Sequence, residues 1–484
     1  MAAKAPKRAL AGVLALVLAG CAAIPARDAA LPAAPVPPAW SQAVVSSAAT
    51  VEPSPDAGGA ATAAPSAAPM PAPTPLAAWW QRFDDVQLTA LVAQALEANP
   101  SVRSARAALA QARALRDVQA AGLLPGVGAS ASAQRARPSG GSTANQFQAG
   151  LDASWELDVF GGQRSAVQAA EADARAAQEN LADARVSLAA EVALAYIDLR
   201  SLQARLAIAR SNLAAQTETL QLVRWRVQAG LATSVELEQA RAASEQTAAQ
   251  IPALETGIAR AQHSLAALTG QAPAALQAEL APPRPVPLAG GELALAIPAD
   301  TLRQRPDVRR AEQQVSGALA RVSQAEAARY PDFRLAGSLG LSALTLGGLG
   351  RGAAVFDSLL ASVSVPLFDG GAVRAQVRAQ EAALEQTRIA YQSVVLAALQ
   401  EVEDALVALA NDRQQLARLQ SAAEAASNAA LLAQQRYASG LIDFQVVLDT
   451  QRTLLATQES VASTGANVSA DHVRLYKALG GGWE

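Results

Sequence analysis

The chain has 484 residues, with 39 basic and 42 acidic side chains, a formal net charge of −3, and only 4% aromatic residues against 51% hydrophobic. Removing residues 1–20, which carry three basic groups and no acidic one, leaves −6, so the basic patch or tail that nucleic-acid binding requires is absent. A single cysteine excludes an intrachain disulfide. No stretch after residue 20 offers the roughly 20 consecutive apolar residues of a membrane helix, so strands must carry any membrane crossing by the mature chain.

The chain opens on Lys4, Lys7 and Arg8 followed by a short apolar run from Leu10 to Leu18, the pattern of a secretory signal over 1–20. Leu18-Ala19-Gly20-Cys21 then looks like a bacterial lipobox, with cleavage before Cys21, a diacylglycerol on its thiol and an N-acyl chain on the new terminus. These lipids are the only prosthetic groups expected. Residues 21–75 are rich in Pro and Ala, carry few charges and show no periodicity, and read as an extended linker.

Ordered structure is predicted from about residue 76, near Trp79 and Trp80. From there the chain repeats itself, over 76–270 and 305–484, with a Pro-rich linker at 271–304. Asn99-Pro100 answers Arg305-Pro306 and Leu124-Pro125 answers Tyr330-Pro331, both at an offset of 206. Gly161-Gly162 answers Gly370-Gly371 at 209, and Gly230-Leu231 answers Gly440-Leu441 at 210. So steady an offset marks a tandem duplication, with a period far beyond that of solenoid repeats.

Each repeat begins with a helix, near 100–122 and 306–329, and continues into two strands. Over 147–158, Phe147, Ala149, Leu151, Ala153, Trp155 and Leu157 alternate with polar or small residues, so one strand face is apolar and the other wet. Val127, Ala129, Ala131 and Ala133 repeat this weakly over 126–135. Phe333, Leu335, Leu339 and Leu341 do so over 332–343, and Ala361, Val363, Val365 and Leu367 over 356–367. Each run has about the length of a tilted membrane strand. Lipid requires every backbone polar group to be paired, so a membrane sheet must close. Four strands are too few, since barrels need at least eight. Three chains supply twelve, and a homotrimer is expected rather than a dimer, whose eight-stranded bore would be filled by side chains.

Neither Gly nor Pro interrupts 163–229, and the run 372–439 is equally clear, which predicts two helices on the order of 100 Å long. Val192, Leu199, Leu206, Leu213, Leu220 and Val227 recur every seven residues, as do Val395, Val402, Leu409 and Leu416, the period of coiled-coil packing. Return helices are expected over 233–268, kinked at Pro252, and over 444–479, after turns at Gly230 and Gly440. The helices that precede the strands are expected to stack end to end on these return helices. The fold class is thus a mixed α+β membrane protein: four transmembrane strands per chain in a trimeric twelve-stranded β-barrel, together with long coiled-coil helical hairpins in two tandem repeats.

Trp80-Gln-Arg-Phe-Asp-Asp, Ala95-Leu-Glu-Ala-Asn-Pro100, Phe160-Gly-Gly, Leu367-Phe-Asp-Gly-Gly371 and Tyr476-Lys-Ala-Leu-Gly-Gly-Gly-Trp483 resemble the outer-membrane factor family. More narrowly, they resemble the TolC-like, NodT-type lipoproteins of resistance-nodulation-division efflux pumps. The resemblance implies that the trimeric twelve-stranded β-barrel is continued by a long coiled-coil α-barrel in the periplasm, forming an outer-membrane channel that passively conducts small molecules, with a periplasmic adaptor docked on the helix-hairpin tips and a proton-driven inner-membrane pump. It also implies outer-membrane sorting of a lipidated Cys21 that no aspartate follows. By the same resemblance Asp449 and Arg452 fall at a periplasmic aperture. Glu236 falls where some members tie an acidic group to a tyrosine and an arginine; here Tyr437 is present but the arginine position is Ile442, so a Glu236–Tyr437 link is expected without a salt bridge. Gly230, Leu231, Gly440 and Leu441 fall at the adaptor contact.

No nucleophile, acid–base or nucleotide motif is present, and His263 and His472 do not correspond between repeats, so neither an enzyme nor a metal site is expected. The alternatives are a non-conducting structural lipoprotein of the envelope and an exit duct for type I protein secretion. If Cys21 is the lipid anchor, Cys21→Ser abolishes incorporation of radiolabelled palmitate; undiminished labelling removes the anchor.

Overall fold

The computed structural model describes residues 31, 40, 76–137, 143–290 and 299–481. The signal segment, Cys21, nearly all of the linker and Trp483 lie outside the described residues. A 3₁₀ turn, Leu76–Phe83, leads into α1 (Val86–Ala98) and α2 (Pro100–Ala121), then β1 (Gly126–Ala136), β2 (Ala144–Leu157), α3 (Gly162–Gln228) and α4 (Ser234–Leu268). The second series is α5 (Pro306–Ala327), β3 (Asp332–Ala343), β4 (Val355–Ser364), α6 (Ala372–Ala438) and α7 (Phe444–Ala478). The linker between them carries single turns at Gln277–Leu280 and Ala299–Gln304. The chain divides into two compact units, one containing residues 109–177 and 310–392 and the other 76–108, 178–309 and 393–481.

In the first unit the four strands form one antiparallel sheet in the order β1-β2-β3-β4. The register places like residues in rows. Ala129, Leu151 and Leu339 form one row, and Val127, Ala153, Gly337 and Leu359 another, so the apolar positions of all four strands share a face. The opposite face carries polar pairs: Ser130 Oγ donates to Asp152 Oδ2 at 2.9 Å, Ser338 and Ser358 hydroxyls meet at 2.7 Å, and Arg334 faces Glu156 at 3.6 Å. β4 ends at Ser364, short of Leu367, because Pro366 has no N–H to continue a ladder. Three residues of β4 break the two-face pattern, among them Leu360 on the polar face, opposite Ala336. Phe356 stands on the polar face, its ring so close over Gly340 that a Cβ there would come within 2.9 Å of it. Asp357 stands on the apolar face, opposite Leu339.

Both long helices contain 67 residues, and each is preceded by a capping aspartate. Asp158 accepts from the N–H groups of Gln163 at 3.0 Å and Arg164 at 2.9 Å, and Asp369 from those of Gly371 and Val373 at 2.8 Å. Each satisfies otherwise orphaned donors at a positive helix end. Both helices finish in a glycine turn with φ of +73°, where Leu231 N–H reaches Arg226 O at 2.7 Å and Leu441 N–H reaches Arg436 O at 2.9 Å. Only glycine adopts that left-handed conformation without strain. Helix α4 is continuous through Pro252.

In the second unit the heptad positions Val192, Leu199, Val395, Val402 and Leu409 are buried. Further along α3 the seam becomes polar: Asn212 Nδ2 donates to Gln458 Oε1 at 2.8 Å, and Gln451 Nε2 to Thr219 Oγ1 at 3.0 Å, tying α3 to α7. Two joints close the repeats. Asn99 Nδ2 donates to Leu268 O at 2.8 Å, where α1 and α2 meet the end of α4. At the corresponding position Arg305 Nη1 donates to Ala478 O, while its Nη2 pairs with both Asp307 and Glu401 at 2.8 Å and its Nε donates to Asp307 at 3.0 Å. Arg200, fully buried, donates to Gln203 Oε1 and to Pro282 O at 2.9 Å, and Gln203 Nε2 donates to Leu280 O at 2.8 Å, fastening the linker to α3.

His472 on α7 is buried, and its Nε2 accepts from Arg413 at 3.0 Å. Burial, reinforced by the positive charges of Arg413 and Arg82, lowers its pKa to about 4. An unfolded histidine binds its proton near pH 6.5, so the unfolded chain carries the extra proton between about pH 6.5 and 4 and native stability falls as pH drops through that window. The full penalty is on the order of 3 kcal/mol. Thermal melts at pH 7 and pH 5 are expected to show a smaller acid-induced drop for His472→Gln than for the wild type.

Candidate functional site

The hairpin ends of both repeats pack into one apolar cluster in the second unit. Val223 from α3, Ala240 and Ala243 from α4, Ala433 and Tyr437 from α6, and Phe444, Val447 and Leu448 from α7 are all buried there, with Leu220, Leu237 and Ile442 against them. The rings of Tyr437 and Phe444 lie 5.3 Å apart. Each helix contributes small or branched residues at helical spacing, so four helices converge on two aromatic rings.

A cation sits beside these rings. The Arg226 guanidinium stands 4.5 Å from the centroid of the Tyr437 ring, and its Nη1 donates to Tyr437 O at 2.6 Å. The resemblance places a cation at position 442, which the apolar Ile442 occupies; the guanidinium that stands beside Tyr437 comes instead from α3 of the other repeat, a contact that residue spacing did not indicate. The one available signal was the position of Arg226 in the last turn of α3, where a cation also suits the negative end of the helix. Burial first, and then the Glu236 carboxylate, push the Tyr437 pKa above the ordinary tyrosine value, while Arg226 opposes the shift. Glu236 is half-buried in the first turn of α4, and its N–H is capped by Thr233 Oγ1 at 3.3 Å. Tyr437 Oη is buried and meets no partner at strict hydrogen-bond geometry, yet the Glu236 carboxylate is near enough to act on the phenol both by charge and by side-chain hydrogen bonding. Ile442 packs in the cluster, as expected of an apolar residue there.

Asp449 and Arg452 lie on the exposed face of α7. Gln445 Nε2 donates to Asp449 Oδ1 at 3.0 Å, and neither charge makes an ion pair among the described residues. Gly230 and Gly440 form the hairpin turns, and Leu231 and Leu441 project from them 70% and 73% exposed. Two apolar side chains are thus presented to solvent at equivalent tips, next to the half-exposed Trp225. Among the described residues no group of His, Cys, Asp and Glu side chains could hold a metal ion, and no helix is long and apolar enough to cross a membrane.

The sheet of the first unit is the other functional surface. Leu151, Leu339, Leu359 and Val363 are exposed on its apolar face, and β1 and β4 each have an edge that no described strand pairs.

A four-stranded sheet with an exposed apolar face, duplicated hairpins of 67-residue helices and a cluster joining their tips define a class of envelope channel components. Residues 91–271 and 297–481 match the model of the family described as outer membrane efflux protein, one match per repeat, and the chain belongs to that family. It is 32% identical to nodulation protein T of Rhizobium leguminosarum bv. viciae over 98% of this chain and 94% of that protein. It is 31% identical to the outer membrane protein OprJ of Pseudomonas aeruginosa over 98% of this chain and 95% of that one. The solved outer-membrane channel OprN superimposes with a TM-score of 0.81 at 36% identity, covering 84% of this chain and 93% of that structure.

Proposed function

We propose that three copies of this chain form an outer-membrane efflux conduit, anchored by lipid on Cys21, in which twelve strands cross the membrane and the helical hairpins extend into the periplasm. The observation that carries this reading is the sheet: one exposed apolar face, one polar face and two unpaired edges. Such a sheet is stable in lipid only if its edges are paired with further strands. The polar face then lines the bore, and transport is passive, driven by a proton-powered inner-membrane pump through a periplasmic adaptor. The exposed Leu231 and Leu441 at the hairpin tips suit adaptor docking, since a partner that covers them removes apolar surface from water.

Gating falls to the hairpin cluster. The Arg226–Tyr437 contact and the packing of Phe444 hold the two hairpins of a chain together. Asp449, exposed immediately after the buried Val447 and Leu448, forms a three-fold ring of carboxylates in the trimer, which favours cations over anions. Arg452 lies close by in sequence and moderates that field.

Planar-bilayer recordings of the purified protein test this. The wild type is expected to conduct in discrete steps; a protein that inserts without conducting would instead be a structural strut. Arg226→Ala is expected to raise single-channel conductance. Tyr437→Phe combined with Glu236→Gln raises it by a smaller step, because the phenyl ring remains beneath the guanidinium. Unchanged conductance in both removes the cluster from the gate. Asp449→Asn is expected to reduce cation preference, read as a shift of reversal potential toward zero in a salt gradient.

A further inference from the structure

Asp357 is the one acidic residue on the apolar face of β4, and Arg135 is the one basic residue within β1 on that same face. Both are exposed, and neither makes an ion pair among the described residues. Both lie toward the end of the sheet that carries the loops after β1 and β3. They cannot meet within one chain. The row of Asp357 runs through Leu339 and Leu151 to Ala129, so two intervening strands separate it from β1, and Arg135 lies six residues further along.

The edges of the sheet are staggered in the same sense. β4 ends at Ser364, in the row of Asp332, whereas β1 begins at Gly126, whose row runs through Ser154 and Ala336 to Leu360. β1 therefore starts four residues closer to the loop end than β4 finishes. A closed barrel requires such a stagger. With strands tilted about 35–45° in a twelve-stranded barrel, it amounts to roughly four to six residues for each set of four strands. It must be even, or every side chain of the next copy would change faces.

We infer that β4 of one copy pairs antiparallel with β1 of the next, in the register that sets Asp357 beside Arg135 of the neighbouring copy. This deepens the trimeric reading above and rests on it. At a stagger of six the two residues are direct partners. At four, Asp357 faces Ala133 and Arg135 is the diagonal neighbour, still within reach of a long side chain. At a stagger of six the large Leu359 and Val363 of β4, flanking Ala361, lie against the small Ala133 and Ala129 of β1, and Ser358 and Ser362 lie beside Gln134 and Ser130 on the polar face. The ion pair neutralises two charges that the lipid face would otherwise carry alone, and it opposes a slip of two residues that the alanine-rich β1 would otherwise tolerate.

The full-length protein carrying both Arg135→Cys and Asp357→Cys is oxidised in isolated membranes and run on non-reducing gels. The double variant is expected to give a covalent three-chain species, absent from either single variant and from the control pair Val127→Cys with Asp357→Cys. Charge reversal is the second arm. Asp357→Arg and Arg135→Asp are each expected to lose detergent-resistant trimer on heating at lower temperature than the wild type, and the two together to recover it. A wild type that is trimeric by native mass spectrometry, with no cross-link and no recovery in the double reversal, overturns this register and leaves the trimer standing. A wild type that is not trimeric overturns both.

Discussion

The unpaired edges of a four-stranded sheet are the constraint on which the rest of this structure depends. Each edge strand exposes backbone N–H and C=O groups on one side, and one face of the sheet exposes leucine and valine. Water can solvate the edges but not the face, and lipid can solvate the face but not the edges. Only pairing with further strands satisfies both. The chain is therefore incomplete alone in a way that a globular domain is not, and the alternation along β2 and β3 has a purpose only in an assembly.

The duplication solves a second problem, how to hold helices of 67 residues. A lone helix of that length has no core of its own, and most helical stability in proteins comes from tertiary packing. Here each long helix is fastened at several levels. Aspartates cap its start, the buried Arg200 and Gln203 bind the linker to the middle of α3, and the aromatic cluster holds its end. Asn99 and Arg305 perform one task with different chemistry, each donating to the last carbonyls of a return helix, at Leu268 and Ala478. Arginine needs two carboxylates to sit buried there, and Asp307 and Glu401 supply them. The repeats are thus alike in backbone and divergent in side chains.

Membership of the outer membrane efflux family was legible from short blocks such as Phe160-Gly-Gly and Leu367-Phe-Asp-Gly-Gly371, because these sit at helix starts whose glycines and capping aspartates tolerate little change. The polar seam of Asn212 and Thr219 was not legible, because a heptad count registers apolar positions and passes over the polar residues between them that pair with α7. The inverted outer end of β4, with Phe356 on the polar face and Asp357 on the apolar one, was hidden for a related reason: alternation was read from residue 361 onward, where it is regular.

What the sequence by itself determined is periodic. Alternation by two makes strands with an apolar face, a run free of Gly and Pro makes a long helix, and an offset of 206 to 210 residues makes the repeat. These are local properties, set by how each residue constrains its own backbone and its nearest neighbours along the chain. What only the tertiary structure decided is which distant residues meet. Arg226 reaches Tyr437 across 211 positions, and Asn212 reaches Gln458 across 246. No spacing rule predicts such contacts, because they follow from how two hairpins are rotated against each other, and that rotation is set by the packing of all four helices at once.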